Sequence, residues 1–369
     1  MRREDKSTVR DGHLDTMIKP TGRRIGLIRI SAIGDVCHAV ATVQALQRHA
    51  PEDDITWIIG RTEAALIADL PGITFVIFDK KQGLKGFLEV LKAIPAPFDV
   101  LLHMQVSIRA NLLAAVVPAK IKWGFPKHLS KELHGLAINR RVPMPETPHV
   151  LEGFQHFAYA LGVPAFTPKW SIPIPQADQT WVDSRLAQNQ PYVVIAPSAS
   201  NSERNWLIDR YAALADHLQA SGYAVVLTAS PAASEMNLAQ KIADLAEANM
   251  VNIAGQTNLK QLLAVVAGAS LVIAPDSGTA HMAVTQNTPT IGLYAHSNPR
   301  RTGPYLYPAL TVDAYHENLQ RLFSDSAKTP KWGTRLKGAH LMHDISLSEV
   351  ITKVDDVLGA LPLSGDLDR

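Results

Sequence analysis

The chain has almost no cysteine, no long apolar run and no dinucleotide glycine fingerprint, and each absence removes a class of protein. Cys37 stands alone among 369 residues. It can form no internal disulfide and no zinc cluster, which suits a reducing cytoplasm. No apolar stretch approaches the ~20 residues that cross a bilayer. The opening MRREDKSTVRDGHLDTMIKPTGRR lacks the apolar core of a signal peptide and reads as a flexible N-terminal tail over residues 1–23. G-x-G-x-x-G is missing, which argues against an NAD oxidoreductase. Charged residues are 19% and hydrophobic residues 46% of the chain, values of a folded globular protein, and the length suits two domains better than one core.

The net charge of +2 conceals an asymmetry. Residues 1–170 hold 22 Lys+Arg against 16 Asp+Glu, or +6, leaving 14 against 18, or −4, for the rest. Within AKIKWGFPKHLSKELHGLAINRR (119–141) six basic residues meet one acid, Glu132. Such a strip is either a solvated face or an attractor of phosphate, anionic lipid or nucleic acid.

Strand-like runs alternate with helical stretches throughout. RIGLIRI (24–30), DITWIIG (54–60), ITFVIFD (73–79) and FDVLLHM (98–104) read as strands, with a helix over 36–49. The pattern stops in a segment with four prolines, VPAFTPKWSIPIPQADQTW, so residues 166–190 read as a linker. It restarts with strands at 192–198, 223–230, 250–255, 270–277 and 289–295 and helices at 209–220, 232–248, 258–267 and 278–286. This is α/β architecture with parallel sheets. It predicts two lobes facing each other across a cleft, 24–165 and 191–345, and a C-terminal helix within 346–369 that crosses back to the first lobe.

In open parallel sheets ligands bind beyond the carboxyl ends of the strands. There the chain places LVIAPDSGTAHMA (271–283). A helix start offers unpaired N–H groups and a positive dipole end to phosphate, and Gly278 lets backbone approach a ligand. Asp276 and Ser277 also suit a simple N-cap, and the residues alone leave cap and ligand site open. IRISAIGDVCHAV repeats the design in the first lobe, with Gly34 in the turn and Asp35 at or just before the helix start. In APSASNSERNW the polar stretch around Ser200 leads to Arg204, which reads either as a diphosphate contact or as a solvated loop arginine.

These three motifs, in this order on two Rossmann-like lobes, resemble glycosyltransferase family nine, the ADP-heptose:lipopolysaccharide heptosyltransferases of GT-B fold. The resemblance rests on RISAIGDVCHAV, PSASNSERNW and VIAPDSGTAHMAVTQNTPTIGLYAHSNPRRTGPY and runs from about 24 to 306. It implies an inverting, metal-independent transfer of heptose from ADP-heptose to a lipopolysaccharide inner-core acceptor of Kdo-lipid A type. The ADP-sugar is a substrate and no cofactor is implied. Asp35 would be the general base. Asp276 would contact the sugar, with Ser277, Gly278 and Thr279 near the diphosphate. Arg204 and Ser200 would meet the phosphates, Glu235 the ribose, and His281 and Gly34 complete the substrate-binding set. The enzyme would be cytoplasmic with peripheral contact to the inner membrane, its basic strip drawing the acceptor through Lys120, Lys122 and Lys127. Alternatives are a relative using another nucleotide sugar or a protein acceptor, a GT-B nucleotide-sugar epimerase, and a nucleotide-binding module without turnover.

Overall fold

The computed structural model describes residues 22–131, 133–187, 190–324 and 329–360. Most of the predicted tail, the acid Glu132 and residues 361–369 lie outside them. Arg23, assigned to the tail, belongs to the fold: it is buried and pairs with Asp53 at 2.6 Å.

Apolar runs rich in β-branched residues make the central strands, and every strand pair is parallel. In the first lobe β1 (Arg24–Ile28), α1 (Ile33–His49), β2 (Asp54–Gly60), α2 (Arg61–Ile67) and β3 (Ile73–Phe78) alternate. Then follow α3 (Leu84–Ala93), β4 (Phe98–His103), α4 (Ile108–Val116), β5 (Ala119–Gly124), β6 (Arg140–Arg141) and α5 (Val150–Tyr159). After α6 (Gln176–Asp183), the second lobe opens with β7 (Tyr192–Ile195), α7 (Ile208–Ala220), β8 (Ala224–Leu227), α8 (Ala233–Leu245) and β9 (Val251–Asn252). It continues with α9 (Leu259–Ala267), β10 (Leu271–Pro275), α10 (Gly278–Thr285), β11 (Thr290–Tyr294) and α11 (Pro299–Thr302). β12 (Val312–Asp313), α12 (Tyr315–Phe323) and α13 (Leu347–Leu358) complete it.

The sheets have orders β3-β2-β1-β4-β5-β6 and β12-β11-β10-β7-β8-β9. Counted within each lobe, both are 3-2-1-4-5-6, the doubly wound order. The order reverses between β1 and β4 in one lobe and between β7 and β10 in the other, and a ligand crevice opens at such a reversal.

The lobes pack directly on each other. α1 touches both α5 and α10, and one apolar core runs from Val36 and Val40 through Phe154 and Phe157 to Leu263, Ala280 and Met282. Two expectations are corrected. The proline-rich linker contains α6, which packs on α9. The C-terminal helix stays on the second lobe: Val350, Val354 and Leu358 bury among second-lobe residues, α13 rests on α7 and β11, and His217 Nε2 meets Asp355 at 2.7 Å. Its apolar face matches the groove beside its own sheet, so no crossing is needed. Among the described residues no helix is long and apolar enough to cross a membrane.

Candidate active site

At the first reversal, β1 runs out through Arg29 into the start of α1, and Asp35 occupies that helix's first turn. Gln105, just beyond β4, clamps the β1–α1 turn: its Oε1 accepts from Ile30 N at 2.8 Å, and its Nε2 donates to Ser31 Oγ at 3.2 Å. Arg29 is buried. Its Nη1 donates to Met104 O at 2.7 Å, its Nη2 pairs with Asp35 Oδ2, and its guanidinium lies 5.3 Å from the Phe154 ring centre. These contacts fix the carboxylate while leaving 34% of its side chain exposed. No hydrogen bond reaches Oδ1 among the described residues. A cavity of about 380 Å³ opens beside the carboxylate, lined by Asp35, Arg29, Gln105, Phe125, Lys131, His149, Arg301 and Trp332.

At the second reversal the Arg204 loop follows β7 and Asp276 follows β10. Asp276 is buried; its Oδ2 accepts from Arg204 Nη1 at 2.9 Å and from Ser297 Oγ at 2.7 Å. Arg204 Nη1 also donates to the Asp276 carbonyl at 3.0 Å, and Nη2 to Ser200 Oγ at 2.7 Å. His281 Nε2 stands 3.8 Å from Asp276 Oδ1, an ion-pair rather than a hydrogen-bond distance. Burial pushes the Asp276 carboxyl up, but His281, Ser297 and Arg204 together outweigh it and hold it at about 2.

Neither Asp276 nor Ser277 caps α10. Ser277 occupies the cap position without a side-chain cap bond, so the helix's first N–H groups stay open. The buried hydroxyls of Ser277 and Ser198, at the ends of neighbouring strands, have no partner among the described residues. This is the electrostatics of an anion site. Thr279 is half-buried in the same first turn.

The predicted residues divide on this frame. Arg204, Ser200, Asp276 and His281 form one network. Gly34 belongs to it as a packing glycine: it is buried, and a Cβ there would lie 2.3 Å from the His281 ring. Gly278 plays the same part from the other side, its Cβ position being 3.4 Å from Ile33. Glu235 stands apart in the first turn of α8, accepting from Ser230 N at 3.2 Å beyond the adjacent strand β8. The basic strip is less available than its charge suggests. Lys120 pairs with Asp99 at 2.6 Å, and Lys122 donates to the Ala114 and Ala115 carbonyls at the end of α4.

Sequence reasoning passed over Arg29, Gln105 and Arg301. Arg301, on α11, has no carboxylate within ion-pair distance among the described residues. Burial lowers its pKa, Asp35 and Asp276 both raise it, and Arg335 lowers it. It lines the same cavity as Asp35.

Two doubly wound lobes packed together with their strand-end crevices at β1/β4 and β7/β10 are the GT-B architecture. Residues 88–332 match the model of glycosyltransferase family 9 (heptosyltransferase), and the chain belongs to that family. It is 43% identical over 326 residues to the lipopolysaccharide core heptosyltransferase OpsX of Haemophilus influenzae, covering 88% of this chain and 94% of that one. The fold is similar to a family 9 glycosyltransferase from Veillonella parvula (TM-score 0.76, 21% identity, 92% and 98% of the two chains). It is also similar to E. coli heptosyltransferase WaaC with ADP (TM-score 0.70, 17% identity, 90% and 99%).

Proposed function

We propose that this glycosyltransferase moves heptose from ADP-heptose to a lipopolysaccharide inner-core acceptor on the cytoplasmic side of the inner membrane, with inversion and with Asp35 as general base. The observation that carries the reading is Asp35 itself: a carboxylate held through Oδ2 by Arg29 and lining a cavity together with the cations Arg301 and Lys131. The 43% identical relative, named a lipopolysaccharide core heptosyltransferase, supports the donor and acceptor class.

In this reading the acceptor sits against residues 24–165 and the nucleotide sugar against 191–345. Asp35 Oδ1 takes the proton of the acceptor hydroxyl as its oxygen bonds to the anomeric carbon from the face opposite the leaving group. The bond from that carbon to the phosphate oxygen breaks, and ADP leaves with the electron pair. The open start of α10 and the Arg301 guanidinium meet the charge that gathers on the diphosphate, so no step requires a metal. In the same reading Asp276 meets the sugar while holding Arg204, and Glu235, in the first turn of α8, takes the ribose.

The test is ADP release and product formation from ADP-heptose with a Kdo-lipid A acceptor. Asp35→Asn should lower kcat by about 10²–10⁴-fold, with ADP affinity and the melting midpoint near wild type. Activity within about tenfold of wild type would remove Asp35 from the role of base. Turnover of a UDP- or GDP-sugar instead would keep the fold and replace the donor.

A further inference from the structure

α3 and α4 cover the sheet face that points away from the second lobe. Their inner sides are ordinary core: Val90, Ala110, Leu113, Ala114 and Val117 bury against Ile28, Ile58, Phe78 and Leu101. Their outer sides are not ordinary surface. On α4, Ile108, Leu112 and Val116 recur every four residues, one stripe of a helix, and are 62%, 55% and 48% exposed. α4 therefore carries an apolar stripe on its solvent side as well as on its core side, with Arg109 as its exposed charge, a pattern that calls for an apolar covering. α3 adds Leu84 at 84% and Leu88 at 57%.

The turn His134–Leu136 lies beside α4, where His134 Nδ1 meets Asn111 Oδ1 at 3.0 Å, and it contributes Leu133 and Leu136, each about four-fifths exposed. Leu133 has φ 62°, the left-handed region that a bulky side chain rarely enters. The strain holds a leucine outward into solvent, where no packing offsets it.

Charge selects the covering. Residues 79–136 hold nine Lys+Arg against four Asp+Glu, a net +5, and Lys85, Arg109, Lys127 and Lys131 are exposed around the apolar stripe. Two such faces repel, which disfavours a second copy. An apolar stripe within a basic rim is the pattern that enters the headgroup boundary of an anionic bilayer. Position agrees, because Val106 and Lys131, next to the stripe in sequence, line the cavity in front of Asp35.

We infer that the face formed by α3, α4 and the His134–Leu136 turn docks on an anionic lipid bilayer and presents the mouth of the Asp35 cavity to the membrane surface. The inference rests on the lipid-linked acceptor for its purpose, but its test needs neither donor nor acceptor. Flotation with phosphatidylethanolamine–phosphatidylglycerol vesicles, and with phosphatidylcholine vesicles as the neutral control, reads the partition directly. The wild type should bind the anionic vesicles and bind neutral ones weakly. Leu112→Glu/Leu136→Glu should lose about tenfold or more of that binding, and Leu84→Glu/Leu88→Glu, on a separate helix, should lose a comparable amount. Both should turn over a deacylated, water-soluble acceptor at the wild-type rate, which also shows that they are folded, and show a raised KM for the acceptor in vesicles.

Wild-type protein that ignores anionic vesicles, or double variants that bind them undiminished, overturns the inference. So does a wild-type dimer made monomeric by Leu112→Glu/Leu136→Glu with vesicle binding intact, which would make the face a homodimer interface. Loss of heptosyl transfer to every acceptor with vesicle binding preserved would refute the assigned reaction and leave the docking face standing.

Discussion

Two arginines of the cleft carry the same charge and have different jobs. Arg204 is spent inside the protein on Asp276 and Ser200, both partners of the ion pair being 9% exposed at the side chain. Removing one partner of a buried pair strands the other, at a cost of about 3–5 kcal/mol. Arg204→Met is therefore expected to lower the melting midpoint strongly, as thermal unfolding would show. Arg301 forms no contact ion pair among the described residues and feels Asp35 and Asp276 only at longer range, so Arg301→Gln should lower the midpoint far less than Arg204→Met. Its kcat/KM should fall by about 10²-fold or more if it meets charge that develops on the diphosphate. The reverse pattern would exchange the two roles. The acids Asp35 and Asp276 were legible in the sequence because each stands in a compact motif at a strand end. Arg29, Gln105 and Arg301 were not, because their parts depend on strand ends that are neighbours only after folding. Gln105 is 75 residues from the Ile30 amide it holds.

Helices and strands were more legible than their ends. DITWIIG is β2 residue for residue, and the four predicted second-lobe helices match α7, α8, α9 and α10 within a few residues. α1 starts at Ile33, three residues before its apolar pattern, so Asp35 lies inside the first turn rather than ahead of it. The strand β5 was hidden in the basic strip, although Ile121 and Trp123 alternate with Lys120 and Lys122 in the period of a strand. No pattern announced that three helices would bring histidines together at the lobe boundary. His38 of α1 stacks edge-on to His281 of α10 at 4.6 Å and to His149, the N-cap of α5, at 5.3 Å. His149 Nδ1 accepts from Leu151 N and its Nε2 donates to Gly303 O at 3.1 Å, so both nitrogens are used by the neutral ring. Burial, first, holds His149 at about 4, and burial with the neighbouring histidines pushes His38 down as well. A base whose folded pKa lies below its unfolded value of ~6.5 contributes stability that is complete above pH ~6.5 and lost as pH falls toward 4. The corresponding loss from Asp276, held at about 2, begins only below pH ~4. Melting midpoints should therefore start to fall between pH 6.5 and 4. His149→Asn keeps a good N-cap and removes one titration, on the order of 3 kcal/mol of that dependence. A flatter midpoint-against-pH curve from a lower neutral value is the expected result, and an unchanged slope would place the pH sensitivity elsewhere.

Across the whole molecule the two lobes fold around one helix. α1 is buried at every residue from Val36 to Leu46, because α5 flanks it on one side and α10 on another. A helix buried all round, with only His38, Thr42 and Gln44 polar in that span, has no solvent face to fall back on. Further ties cross the same boundary: Lys260 Nζ reaches Asp69 at 2.6 Å, His149 Nε2 donates to the Gly303 carbonyl at 3.1 Å, and Trp332 Nε1 to the Pro148 carbonyl at 2.9 Å. Chains of this length often unfold in steps, yet here neither lobe can lose its structure without baring the core of the other. Calorimetry should show one transition with calorimetric and van't Hoff enthalpies in agreement, and hydrogen exchange should give the centres of both sheets the same global opening. ADP in excess, seated on the second lobe in the proposed reading, should raise both together, by ~2.7 kcal/mol at a hundred times its dissociation constant. Gly34→Ala tests the coupling at its narrowest point. The added methyl lies 2.3 Å from the His281 ring, which is buried and cannot swing clear, so α1 and α10 must part. Overpacking of this kind costs about 1–3 kcal/mol. If α1 is the shared core, the variant should melt lower and in two resolved steps, with exchange in the first lobe released before the second. One sharp transition at the wild-type midpoint would mean that the lobes hold together through the surrounding ties and not through that contact.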